Sequence, residues 1–159
     1  MRKIKLKKTK KYIKDFKYKS KLVSYFVNIL MRNGKKNLAF RIFYKTLNII
    51  KKKNKKKNIK SIKILKKALK NISPKIIIKN KKIGGTTYNI PIKINKNKQK
   101  YLSIKWLILF SKKKKGNNMS IKLAKEILLA YKGLGESIKK KNEIYKIAEA
   151  NKAFTYFKF

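Results

Sequence analysis

This sequence predicts a mainly α fold in a single domain. It comprises about six helices, a protruding two-stranded β-ribbon between the third and fourth helices, and a basic N-terminal arm over residues 1–19. Three observations carry that prediction. Apolar residues recur at helical steps of three and four in six separate stretches. A single stretch, at about residues 75–94, alternates instead with a period of two. The chain of 159 residues is also 43% hydrophobic, although Lys and Arg outnumber Asp and Glu by 49 to 5 and the formal charge is +44. That much Ile, Leu, Phe and Tyr argues against a disordered polycation, while the charge opposes compaction in the absence of a counter-charge.

In the arm, Tyr12, Ile13, Phe16 and Tyr18 interleave with lysines. The helical domain then spans residues 20–159. Ser20 is placed to cap a first helix running to about Met31, with Leu22, Phe26, Ile29 and Leu30 on one stripe and Val23 and Val27 at its edge. Asn33-Gly34 stops it. A second helix starts near Lys36 and carries Leu38, Ile42, Phe43, Leu47 and Ile50. KKKNKKKN, residues 51–58, reads as a charged linker. Ile59, Ile62, Leu65, Leu69 and Ile72 mark a third helix that Ser73-Pro74 ends.

The β-branched run Ile76–Ile78 and the alternating Tyr88, Ile90, Ile92 and Ile94 form the ribbon, joined by a glycine-bearing tip from Lys79 to Thr86. Pro91 requires an edge position, consistent with a free-standing ribbon. Tyr101–Phe110 is apolar nearly all round and predicts a buried fourth helix, with Trp106 packed in the core. After Lys112–Lys115 and Gly116, Asn118 caps a fifth helix with Leu123, Ile127 and Ala130 beside Ala124, Leu128 and Tyr131. Gly133 and Gly135 break the chain, and a sixth helix begins at about Ser137. It carries Lys139–Lys141 on its first turn and Ile144, Ile147 and Ala148 inside. Cations at a helix N-terminus oppose the macrodipole unless an anion sits there.

The charge is uneven. Residues 1–125 hold 42 basic residues against Asp15 alone, whereas residues 126–159 hold seven against Glu126, Glu136, Glu143 and Glu149. With no Cys and no His, thiolate metal sites, disulfides and the commonest acid–base group are absent. Five scattered acids form no carboxylate pair. Catalysis, metal binding and cofactor use are therefore not expected. No window approaches the ~20 apolar residues of a membrane span, and the basic start lacks the apolar stretch of a secretory signal. Only Arg2, Arg32 and Arg41 are arginines. Lysine is a hydrated point charge rather than a bidentate fork, so nucleic-acid affinity should be ionic and salt-sensitive.

Three segments together carry a resemblance: FVNILMRNGKKNLAFRIFYKTL (26–47), KKIGGTTYNIPIKI (81–94) and ESIKKKNEIYKIAEANKAFTYFKF (136–159). In order and spacing they resemble the small ribosomal subunit protein seven family, bacterial and plastid type, over about residues 15–159. YKGLGESIKKK is similar to the plastid branch, and low Arg with high Ile and Asn suits the genome of a relict plastid such as the apicoplast. Otherwise the compartment would be the cytoplasm of a bacterium with an AT-rich genome. The resemblance implies six helices with a ribbon between the third and fourth. It also implies a primary binder of the 3′ major domain of small-subunit rRNA that nucleates the subunit head and lines the exit-site region for mRNA and tRNA, beside head and platform proteins.

Carried onto this chain, the resemblance places rRNA contacts at Lys7, Lys8, Lys10, Lys11, Lys35, Lys36, Lys112, Lys113, Lys114 and Lys115. It places Lys79, Lys81, Lys82, Gly84, Gly85, Lys139, Lys140 and Lys141 near exit-site mRNA or tRNA. Three departures stand out. Lys14 and Phe16 flank Asp15 where the family usually has prolines. Lysines occupy usual arginine positions around the ribbon and last helix. Tyr145 replaces a common histidine. The alternative is an architectural or regulatory nucleic-acid binder acting off the ribosome. A membrane-active role fits poorly, because the apolar stripes lie on short helices able to bury one another.

Overall fold

The computed structural model describes residues 14–54, 59–116 and 118–156. The chain divides into two compact units, Met1–Phe40 and Arg41–Phe159. Among the described residues there are six α-helices and two strands. None of these helices is long and apolar enough to cross a membrane.

The first unit holds α1 (Lys21–Leu30) and the opening turn of α2 (Lys36–Lys53). Ser20 is the residue before α1, but its side chain makes no capping bond. The inward face is Val23, Ser24, Phe26, Val27 and Leu30. Phe26 and Leu30 of the expected stripe are thus buried together with its edge, Val23 and Val27, whereas Leu22 and Ile29 are only half-buried. Asn33 and Gly34 turn the chain with positive φ, and α2 begins at Lys36, as expected.

In the second unit α2 buries Phe43, Thr46, Leu47 and Ile50. The Thr46 hydroxyl donates to Ile42 O at 2.8 Å and lies 3.3 Å from Ser120 O, which lets a polar side chain occupy a core position. Leu38, expected inside, is half exposed, and Ala39 is buried instead. The helix continues through Lys51–Lys53, which the linker reading had placed outside it. Lysine is a good helix former, and cations suit a C-terminal turn. Residues 55–58 of that linker lie outside the described residues.

α3 (Ser61–Ile72) buries Ile64, Leu65, Ala68, Leu69 and Ile72. Ile59 precedes the helix and Ile62 sits at its margin, because the true stripe is rotated toward Ile64 and Ala68. α4 (Lys96–Lys113) starts before Tyr101, since Asn95 accepts the Lys98 N–H at 2.9 Å and fixes the first turn there. It is not buried all round. Ser103, Ile104, Leu107, Ile108 and Ser111 face inward, Trp106 is half-buried, and Tyr101 and Leu109 are exposed. α5 (Met119–Tyr131) lies against both α3 and α4. It buries Leu123, Ala124, Glu126, Ile127 and Ala130, and the Asn118 side chain makes no capping bond. α6 (Glu136–Ala150) begins one residue earlier than expected and is followed by a 3₁₀ turn at Lys152–Tyr156. Its Ile147 is exposed and Ile144 half-buried, whereas Ser137, Ile138 and Ala148 face inward.

The strands β1 (Ile76–Ile83) and β2 (Thr86–Lys93) pair antiparallel, Ile76 with Lys93 through Ile83 with Thr86. The tip is therefore only Gly84-Gly85, shorter than the expected Lys79–Thr86. Both glycines have positive φ, +55° and +83°, as a two-residue hairpin turn matched to strand twist requires. Nor is the ribbon free-standing. Its base rests on α6 and the 3₁₀ turn. Ile90 is fully buried, Tyr88 meets Phe154 at 4.9 Å between ring centroids, and the Lys75 N–H donates to the Tyr145 hydroxyl at 2.9 Å.

α3, α5 and α6 cap one another in a closed ring. Asn71 of α3 donates to the terminal carbonyls of α5, Ala130 O at 2.9 Å and Tyr131 O at 3.3 Å. Lys141 of α6 donates to Asn71 O at the end of α3 at 2.6 Å. Glu126 of α5 accepts the Ser137 N–H at 3.1 Å in the first turn of α6. Each contact supplies a partner to a terminal peptide group that its own helix cannot satisfy. Glu126 also sets a negative charge at a helix N-terminus, and Lys141 a positive one at a C-terminus.

Candidate nucleic-acid interface

On a chain this rich in lysine, the useful question is which lysines serve the fold and which face outward. Lys7, Lys8, Lys10 and Lys11 lie outside the described residues. In the first unit Lys35 and Lys36 are exposed at the start of α2, and Lys36 lies 5.9 Å above the Phe40 ring.

The run Lys112–Lys115 divides. Lys112 and Lys113 are exposed on the last turn of α4, with Lys113 over the Phe110 ring at 5.7 Å, and Lys115 is exposed beyond it. Lys114 turns inward. Its ammonium lies 2.7 Å from Glu126 Oε2 as an ion pair, and its side chain is only 23% exposed. The other Glu126 oxygen takes the Ser137 hydroxyl at 2.7 Å. Burial by itself would raise the Glu126 carboxyl; Lys114 and the two Ser137 donors outweigh it and hold the group below the usual carboxylate value. Lys114 thus shares its charge with a carboxylate inside the fold, unlike the exposed lysines on either side of it.

The register divides the ribbon lysines as well. Lys79 and Lys81 stand opposite Ile90 and Tyr88, on the face that carries the buried Ile90. Lys82 stands opposite Thr87 on the other face, with Asn80 and Asn89. Gly84 and Gly85 are exposed, and a Cβ at either would meet no atom within 4 Å.

Lys139–Lys141 divide a third time. Lys139 pairs with Glu136 at 2.9 Å and Lys140 with Glu143 at 3.1 Å, both on the exposed face of α6. The Glu136 carboxylate raises the Lys139 pKa. Lys141 is drawn in to α3, where burial and then Lys75 pull its pKa down. Glu126 and Glu136 set negative charge at the cationic start of α6 and offset its conflict with the macrodipole.

Sequence reasoning missed a groove of about 440 Å³ whose lining includes Lys67, Tyr131, Lys132 and Lys141. Lys67 lies over the Tyr131 ring at 4.9 Å. The signal was faint, because Lys67 and Lys132 sit among ordinary solvent-facing lysines and only the packing of α3, α5 and α6 gathers them. The exposed lysines can neutralise phosphates, and the committed ones position the elements that carry them.

The sequence model of the family described as Ribosomal protein S7p/S5e matches residues 1–152. A protein of Porphyromonas gingivalis named Small ribosomal subunit protein uS7 is 42% identical over 159 residues, all of both chains. Proteins of the same name match from Desulfatibacillum aliphaticivorans, 41% identical over 91% of each chain, and Christiangramia forsetii, 40% identical over all of both.

Proposed function

The chain belongs to the ribosomal protein S7p/S5e family, and from that membership we propose a structural role in the head of the small ribosomal subunit. It is a small-subunit ribosomal protein. Its finer role is to bind the 3′ major domain of small-subunit rRNA as a primary binder, to nucleate head assembly, and to line the exit-site path of mRNA and tRNA beside head and platform proteins. The observation that carries the reading is identity of 40–42% along the whole chain to proteins named for the small subunit.

The chemistry agrees. Residues 1–125 carry Asp15 as their one acid, and that acid is buried, so exposed lysines there meet RNA phosphates with no competing carboxylate. Binding works by phosphate neutralisation and fit to a folded RNA rather than by base-edge readout. The role is structural and not catalytic. Placement in a relict plastid rests on the bias toward Lys over Arg and toward Ile and Asn, against relatives that are bacterial.

The test is a salt titration of the full chain binding a transcript of the head domain, with excess unrelated structured RNA as competitor. A footprint at the multi-helix junction that survives competitor is the expected result, with log affinity falling by several units per log unit of salt. Complete displacement by competitor overturns the reading.

A further inference from the structure

A lysine-lined groove is unremarkable on a chain with 49 basic residues; an exposed large apolar side chain is more informative. The most exposed large apolar residue among those described is Phe16, at 98%. It stands on a built corner. The Asp15 carboxylate is buried and accepts the Tyr18 N–H at 2.8 Å, closing the turn over Phe16 and Lys17. The Asp15 N–H reaches back to Ser20 O at 3.4 Å, and Lys19 adopts φ +47° to complete the bend into α1. The corner fixes the backbone on both sides of the ring and leaves the ring in solvent. Exposed Lys14, Lys17, Lys19 and Lys21 surround it in sequence.

We propose that Phe16 is a stacking platform for one unpaired rRNA base, with the neighbouring lysines engaging the phosphates on either side. The charge selects the occupant. An apolar protein partner would have to accept four adjacent cations, whereas a looped-out nucleotide brings both a π-face and an anionic backbone. A fixed backbone reduces the ordering cost of the contact. The inference rests on the rRNA-binding reading and goes beyond it by naming one residue that touches a base and not a phosphate.

Full-length wild type, Phe16→Ala, Phe16→Leu, Phe16→Tyr and Lys17→Ala test it by salt titration against the head-domain transcript with competitor RNA. Stacking releases no counterions, so Phe16→Ala should weaken binding about tenfold while leaving the slope of log affinity against log salt unchanged. Phe16→Tyr should match wild type. Phe16→Leu should weaken binding like Phe16→Ala although it stays apolar, and Lys17→Ala should flatten the slope by about one unit. Wild-type affinity in Phe16→Ala or in Phe16→Leu overturns the stacking role and leaves the rRNA reading intact. Loss of competitor-resistant binding in wild type itself overturns both.

Discussion

Two glycine-bearing turns in the second unit adopt left-handed backbone for different ends. At Gly84-Gly85 the requirement is conformational only, for a Cβ there would meet open space. At Gly135 it is conformational and steric at once. With φ at +105°, a Cβ would sit 3.0 Å from Glu126 Oε1 and 3.3 Å from the Leu129 Cβ. Gly135 precedes α6 and has no side chain to cap it; Glu126 reaches across from α5 to do so. One turn reverses the chain in open space, and the other locks two helices together. A glycine motif therefore says little until its surroundings are known.

The contrast can be broken at its stronger end first. Gly135→Ala forces a methyl against the buried carboxylate and strains the backbone. It should cost about 3 kcal/mol or more, the sum of a strained φ and a disturbed ion pair, read as a lower urea midpoint. An unchanged midpoint would show that the α5–α6 junction yields freely.

Glu126→Gln should come next, at about 3 kcal/mol, because it strands the partly buried Lys114. The pH dependence fixes the sign. A carboxyl whose folded pKa is depressed stabilises the fold fully above its unfolded value, about 4.3, and that stabilisation fades as pH falls through the folded value. The gap between wild type and Glu126→Gln should therefore be constant at neutral pH and shrink in acid below about pH 4. A gap independent of pH would remove Glu126 ionisation from the account.

Gly84→Ala should cost less, about 1 kcal/mol for left-handed backbone with no clash, and Gly84→Asn less again. Equal costs at Gly84 and Gly135 would erase the distinction between the two turns. Smallest of all, Lys82→Ala should leave the unfolding free energy within about 0.5 kcal/mol of wild type and junction binding intact, while disturbing mRNA or tRNA handling on assembled subunits. Loss of rRNA docking in that variant would contradict a ribbon devoted to the exit site.

The order and type of the six described α-helices and the two strands were legible from periodicity, helical in the one case and alternating in the ribbon, whereas the 3₁₀ turn at Lys152–Tyr156 had no such signal. The inward faces were less so. In α1 and α3 two adjacent stripes are both apolar, and the sequence cannot say whether Val23 or Leu22, Ile64 or Ile62, is turned to the core. In α4 an almost wholly apolar run concealed that one side meets solvent. Lysine roles were least legible. Lys112 and Lys114 look alike in sequence, and only Glu126, twelve residues beyond Lys114 and buried by packing, separates them. Serine and asparagine misled in the same way. Ser20 and Asn118 sit at helix starts without a side-chain capping bond, while the caps that form between helices come from Asn71, Glu126 and Lys141, residues with no local signature.

The ribbon's braces, Tyr145 and Phe154, lie downstream of both strands and of two further helices. During synthesis the hairpin leaves the tunnel long before its supports, and an isolated hairpin is marginal in water. Polypeptides interrupted before α6 would carry the tip sequence intact yet lack the seat that aims it. A chain shortened before α6 keeps both strands and their lysines but loses the Tyr145 hydroxyl and the Phe154 ring that hold the ribbon against the rest of the fold.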